Sequence, residues 1–172
     1  MQKTVLKNHT SFIILILLHL FILSNCGDKK KNSYVKIDPS VSETYIIKTK
    51  TKTYNVVLDN KHILINDTPH SIILLNIFNP TSSSCLTHAQ TLQSLEHENK
   101  DIRVVNITKS TQDKENINFI NKIYQTLAIS SHALTMLSIL YINGRYYQHY
   151  EGLTPIEMIQ HDISQNQINQ RI

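Results

Sequence analysis

The amino-acid sequence predicts an α/β fold: one mixed central sheet with helices on both faces. Three observations lead there. Residues 71–78 (SIILLNIF) and 102–107 (IRVVNI) are nearly continuous apolar runs, as expected of strands buried on both faces. Segments of helical period follow each of them. The chain then ends in a third apolar run, a hairpin signal and a last helix, so that alternating β and α segments give way to β-β-α.

The elements follow in order. Tyr45-Ile46-Ile47 and Tyr54-Asn55-Val56-Val57-Leu58 are β-rich. Asp59-Asn60-Lys61 reads as a turn into Ile63-Leu64-Ile65, and Asn66-Asp67-Thr68-Pro69 breaks the chain before the first apolar run. Pro80 and the serines after it suit a helix start, with a helix expected from Cys85 to about Glu98 that carries Cys85, Ala89, Leu92 and Leu95 or Glu96 near one face. The second helix is expected over 116–129, with Ile117, Ile120, Ile123, Tyr124 and Leu127 in helical register. The third core strand is expected over 134–142. Asn143-Gly144 is the strongest hairpin signal in the chain, leading into residues 145–150. Thr154 as N-cap, Pro155 in the first position and Glu157 in the third open the last helix, and the Gln- and Asn-rich residues from Ser164 are expected to fray.

Composition removes several functions. The only glycines, Gly27, Gly144 and Gly152, are too far apart for a phosphate-cradling P-loop or dinucleotide turn. Two cysteines, Cys26 and Cys85, cannot build a disulfide scaffold or a cysteine-rich zinc finger. The formal charge of +4 resides in the first 36 residues; beyond them 11 basic residues face 12 acidic ones. A nucleic-acid partner would need a basic face on the folded part, so none is expected.

Residues 1–25 read as an export signal. Lys3 and Lys7 are followed by an apolar run over 12–23, interrupted only by His19. Twelve helical residues span about 18 Å, short of a hydrocarbon core of about 30 Å. The run ends in Leu23-Ser24-Asn25-Cys26-Gly27, which resembles the lipobox of bacterial lipoproteins, with Asn25 in place of the usual small residue. That resemblance implies cleavage before Cys26 and its diacylation, palmitate included, and hence anchoring to the inner or outer membrane of a bacterial envelope with the domain facing the periplasm. Two acyl chains anchor stably where one is marginal. Residues 26–42 form a polar, lysine-rich tether. The expected organisation is a signal peptide over 1–25, a lipidated tether over 26–42, a domain over 43–165 and a frayed tail over 166–172.

The element order, together with Leu74-Leu75-Asn76-Ile77-Phe78 running through Asn79-Pro80-Thr81-Ser82-Ser83-Ser84 into Cys85, resembles the thioredoxin-like fold. The likeness is greatest to the membrane-tethered periplasmic thiol-disulfide reductases of cytochrome c maturation. Those proteins carry a strand reading L-L-N-F-W, then W-C-x-x-C, then a helix. The resemblance covers about residues 43–165 and implies a three-layer sandwich with a mixed sheet and an N-terminal β extension. Laid on without gaps, Ser82 takes the place of the first cysteine and Cys85 that of the second. The cis-proline of the family falls on Met136, or on Thr135 with one residue of slack. A serine in the attacking position cannot replace a thiolate without a base, and Cys85 alone cannot cycle between dithiol and disulfide. Ser82, Thr135 and Met136 are therefore expected to be remnants of an active site.

Four uses of Cys85 stand side by side. In the first the domain is a binding or structural module of the cell envelope, not an enzyme, with Cys85 as a partly buried apolar residue. In the second Cys85 is a single catalytic thiol that forms mixed disulfides with exported proteins. In the third it is a peroxidatic thiol, since peroxiredoxins share the fold and place Thr or Ser three residues before a lone Cys; Arg103, Arg145 and Arg171 do not fall at the arginine position this would need. In the fourth Cys85-x-x-His88 contributes to a metal site, against which a plain surface His88 is weighed. No metal and no cofactor are expected. Tyr146, Tyr147 and Tyr150 are expected to cover a sheet edge, and Glu96 and Glu98 to form a solvated helix end.

Overall fold

The computed structural model describes residues 42–66, 71–110, 112–130 and 135–169. The expected leader, Cys26, nearly all of the tether, Leu134 and the last three residues lie outside them. Seven strands and three helices follow one another: β1 (Glu43–Lys48), β2 (Thr53–Asp59), β3 (His62–Ile65), β4 (Ile72–Phe78), α1 (Ser83–Glu98), β5 (Ile102–Thr108), α2 (Lys114–Thr126), β6 (Met136–Ile142), β7 (Arg145–Glu151) and α3 (Ile156–Asn169). The sheet runs β1-β2-β3-β7-β6-β4-β5. β4 and β5 are parallel, and α1 supplies the crossover that parallel neighbours need; β4–β6 and β6–β7 are antiparallel. The fold class expected from the sequence is the one observed.

Burial explains the sequence pattern of each strand. Every residue of β4, and all of β6 but Ile142, is buried, because helices cover both faces. β2 and β3 alternate instead, turning Tyr54, Val56, Leu58, Ile63 and Ile65 inward and their neighbours outward. On one face of the central strands, Leu92 and Leu95 of α1 and Ile159 and Ile163 of α3 pack on Ile72, Leu74, Ile102 and Val104. On the other face α2 and the β1–β3 meander share a larger core around Ile73, Leu75, Ile77 and Phe119. Each aliphatic side chain so buried contributes about 1.5–3 kcal/mol. Asn143 and Gly144 both take positive φ, 51° and 79°, as a tight hairpin between β6 and β7 demands.

The meander is joined to the central sheet at one residue pair, His62 with Arg145. Its far end is held from α2. Asn116, 1% exposed, accepts from the Lys48 N–H (3.1 Å) and donates to the Lys48 carbonyl (2.8 Å). Its side chain thus closes the end of β1 as a neighbouring strand would. Tyr45 meets Phe119 edge-on at 5.2 Å, and Lys122 pairs with Glu43, whose carboxyl it holds below the usual range.

Several expectations shift. α1 begins at Ser83, two residues before Cys85. α3 begins at Ile156, so Thr154 and Pro155 precede it, and it continues to Asn169, past the point where fraying was expected. The tyrosines of β7 do not cover an edge, because β3 lies beside that strand. Tyr150 is buried under α3, where its hydroxyl donates to Asp162 (2.7 Å), and Tyr146 packs against the larger core. Glu96 is not solvated: it pairs with Arg103 and accepts from the Val104 N–H (3.0 Å) and from Gln93 (3.0 Å), tying α1 to β5. Among the described residues no helix is long and apolar enough to cross a membrane.

Asn116→Ala leaves the last N–H and C=O of β1 without partners. It is expected to lower the unfolding free energy by about 2 kcal/mol, read from the urea midpoint at unchanged slope.

Candidate functional site

The chain leaves β4 at Phe78 and enters α1 through a four-residue segment, Asn79 to Ser82, that is stitched down at both ends. Asn79 donates its N–H to the Thr135 carbonyl (2.9 Å), and its side chain accepts from the Thr81 N–H (3.0 Å) and hydroxyl (2.8 Å). Ser82 then has extended backbone and caps α1, its hydroxyl accepting from the Cys85 N–H at 3.4 Å. A second contact, 3.0 Å to the Ser84 hydroxyl, holds the Ser82 side chain.

Cys85 sits in the first turn of α1 and is 1% exposed. It is more deeply buried than expected from the sequence. Phe78, Ala89 and Met136 surround it, with Leu86 against the group. Its thiol lies 3.7 Å from the Thr135 carbonyl, which accepts from both Cys85 and Asn79. Ser82, Cys85, Thr135 and Met136, picked out from the sequence, therefore meet at one place. Thr135 is exposed, Met136 is fully buried, and no cis peptide bond occurs among the described residues.

What the arrangement can do follows from access and protons. The sulfur is shielded by side chains and engaged with a carbonyl. The Ser82 hydroxyl is occupied in capping, and among the described residues its hydrogen-bond partners are the Cys85 N–H and the Ser84 hydroxyl, neither of them a base that could take its proton. His88, one turn after Cys85, is half-buried on α1. Its Nε2 is buried and has no hydrogen-bond partner among the described residues, and burial lowers its pKa. No group of three metal-ligating side chains occurs among the described residues.

Sequence reasoning missed a polar row through the middle of the sheet. Asn76 donates to Asn106 (2.8 Å) and accepts from Ser138 (3.2 Å); Asn106 in turn reaches Gln93 (3.0 Å) and the Ala89 carbonyl (3.2 Å). Asn76 and Ser138 are fully buried, and such groups are tolerated only when paired. Each of three core strands carries an uncharged polar residue inside its apolar run, Asn76, Asn106 and Ser138, and that is the signal by which the row was detectable. The row ends on α1 one turn after Cys85, next to a cavity of about 260 Å³ between α1, β5 and the β1–β2 turn.

From β4 onward the topology is β-α-β-α-β-β-α, with strands in the order β7-β6-β4-β5, α1 and α3 on one face and α2 on the other. The fold is thioredoxin-like. The β1–β3 meander is the N-terminal extension, added beyond β7. No protein-family model matches the chain, and no curated protein matches its sequence. Among solved structures, a putative thioredoxin from Neisseria meningitidis is 14% identical with a TM-score of 0.47, over 75% of this chain and 91% of that one. Thioredoxin f2 of Chlamydomonas reinhardtii is 19% identical with a TM-score of 0.43, over 58% of this chain and 82% of its own. Mitochondrial thioredoxin 3 of Saccharomyces cerevisiae is 12% identical with a TM-score of 0.41, over 55% and 79%.

Two predictions follow from this geometry. Ser82→Cys puts a second sulfur one helical turn before Cys85. Mild oxidation is expected to remove both thiols from titration with Ellman's reagent while the protein stays monomeric. Intermolecular dimers instead would mean that the two positions cannot approach. The second concerns His88. Its folded pKa is depressed, so the unfolded chain takes up a proton first as pH falls through about 6.5. Stability associated with neutral His88 is present above that pH and lost below it. The melting temperature of His88→Leu relative to the parent is expected to rise as pH goes from 7 to 5.

Proposed function

We propose that the chain is a lipid-anchored binding module of the bacterial cell envelope, in which a thioredoxin-like domain serves without a dithiol cycle. One observation carries this reading: Cys85 is buried and hydrogen-bonded to Thr135, while Ser82 stands where a partner sulfur would be needed. Thiol–disulfide exchange requires an accessible thiolate and a second sulfur to resolve the mixed disulfide. The described residues hold neither. The single-thiol readings need an exposed Cys85, and the burial of its sulfur counts against both. The anchor rests on the apolar run over 12–23 and on Leu23-Ser24-Asn25-Cys26. With Cys26 acylated, the mature chain keeps one free thiol.

Alkylation of the mature full chain with iodoacetamide, read by intact mass, tests both parts. No adduct is expected on the native protein, and one after denaturation. Rapid labelling of the native protein would overturn the inert-thiol reading. Two adducts after denaturation would show Cys26 to be free and remove the anchor.

A further inference from the structure

The cavity beside α1 has a construction of its own. Its walls are apolar: Tyr54 from β2, Phe78 from β4, Leu86 and Ala89 from α1, and Val104 from β5. Phe78, Leu86 and Ala89 are also the residues that pack around Cys85, so the cavity continues from that cluster. Gln90, Gln93, Asn106 and Thr108 supply amide and hydroxyl groups along one side. The turn between β1 and β2 closes the other side and brings Lys50 and Lys52 to it. Both lysines are exposed, and neither makes an ion pair among the described residues. Among the described residues no carboxylate lines the cavity. Glu96, held nearby through Gln93, is already neutralised by Arg103.

Apolar walls with two unpaired cations and no anion favour one kind of occupant. We infer that this cavity binds a small amphiphilic acid, its apolar body against Tyr54, Phe78, Leu86 and Val104 and its anionic head at Lys50 and Lys52. An apolar cavity of about 150 Å³ holds benzene, so 260 Å³ suits a body of about ten carbons. An apolar lining with a few convergent polar groups is the usual form of a small-molecule site. The turn that carries the lysines does not drift, because Asn116 fixes the Lys48 backbone at its base and the Thr49 hydroxyl accepts from the Lys52 N–H (3.1 Å) within it. This inference deepens the binding-module reading and rests on it.

The test uses the full chain in nanodiscs of zwitterionic lipid. The probe is a ten-carbon carboxylate bearing a diazirine, with crosslinks mapped by mass spectrometry. Saturable crosslinks to residues of 49–54 and 86–93 are expected. Decanoate is expected to compete at least ten-fold better than decanol or decyltrimethylammonium. The pair Lys50→Glu and Lys52→Glu, both exposed and without fold risk, is expected to cut labelling at least ten-fold at unchanged melting temperature. Ala89→Leu, which fills the cavity, is expected to abolish it. Non-saturable labelling, crosslinks elsewhere, or equal competition by the uncharged and cationic chains would overturn the inference. Cys85 alkylation, read on the same preparation, separates this failure from failure of the binding-module reading: an unlabelled native thiol leaves that reading standing without this ligand.

Discussion

The two hydrogen bonds between Asn116 and the Lys48 backbone hold together what the sheet's own pairing does not. The β1–β3 meander meets the central sheet through one residue pair, so it depends on α2 for its position. A neutral amide is suited to this work. It offers a donor and an acceptor at the spacing of a strand edge, and a buried amide costs little only when both are used. With the meander fixed, the larger core closes, and the β1–β2 turn is set against α1 and β5. The wall of the cavity formed by this turn is a consequence of that placement.

The region around Cys85 shows a second constraint. A thioredoxin-like helix start can be built around a capping serine, because the N-terminal N–H groups need an oxygen acceptor whether or not chemistry takes place there. Ser82 meets that need. The Cys85 side chain packs among apolar residues, against Phe78 and Met136. The same core holds the sandwich whatever chemistry Cys85 has, because a fold does not by itself fix the function of its site.

Much of the architecture was legible because burial on two faces and on one face leave different marks. The apolar runs of β4 and β6, and the alternation in β2, are direct records of what covers them. The asparagine–glycine turn was legible because few residues tolerate two successive positive φ values. Other features were not, and the reasons are physical. Tyr150 and Glu96 look like surface residues in a linear sequence. Their burial depends on partners fourteen or fewer residues away, Asp162 and Arg103, that pattern alone does not pair with them. The cavity is harder still, since it is bounded by four elements whose approach is set by tertiary packing. At the site the positions of Ser82, Cys85, Thr135 and Met136 could be placed by counting, whereas the burial of the Cys85 sulfur could not.

An open seven-stranded sheet has two free borders, and such borders invite pairing between molecules. Here the turn between β1 and β2 stands close to β5, the strand at the opposite border. The sheet curls far enough that its two ends line one cavity. Lysines placed on that turn add repulsion between copies. The mouth of the cavity is thereby charged at the place where the two ends of the sheet approach each other.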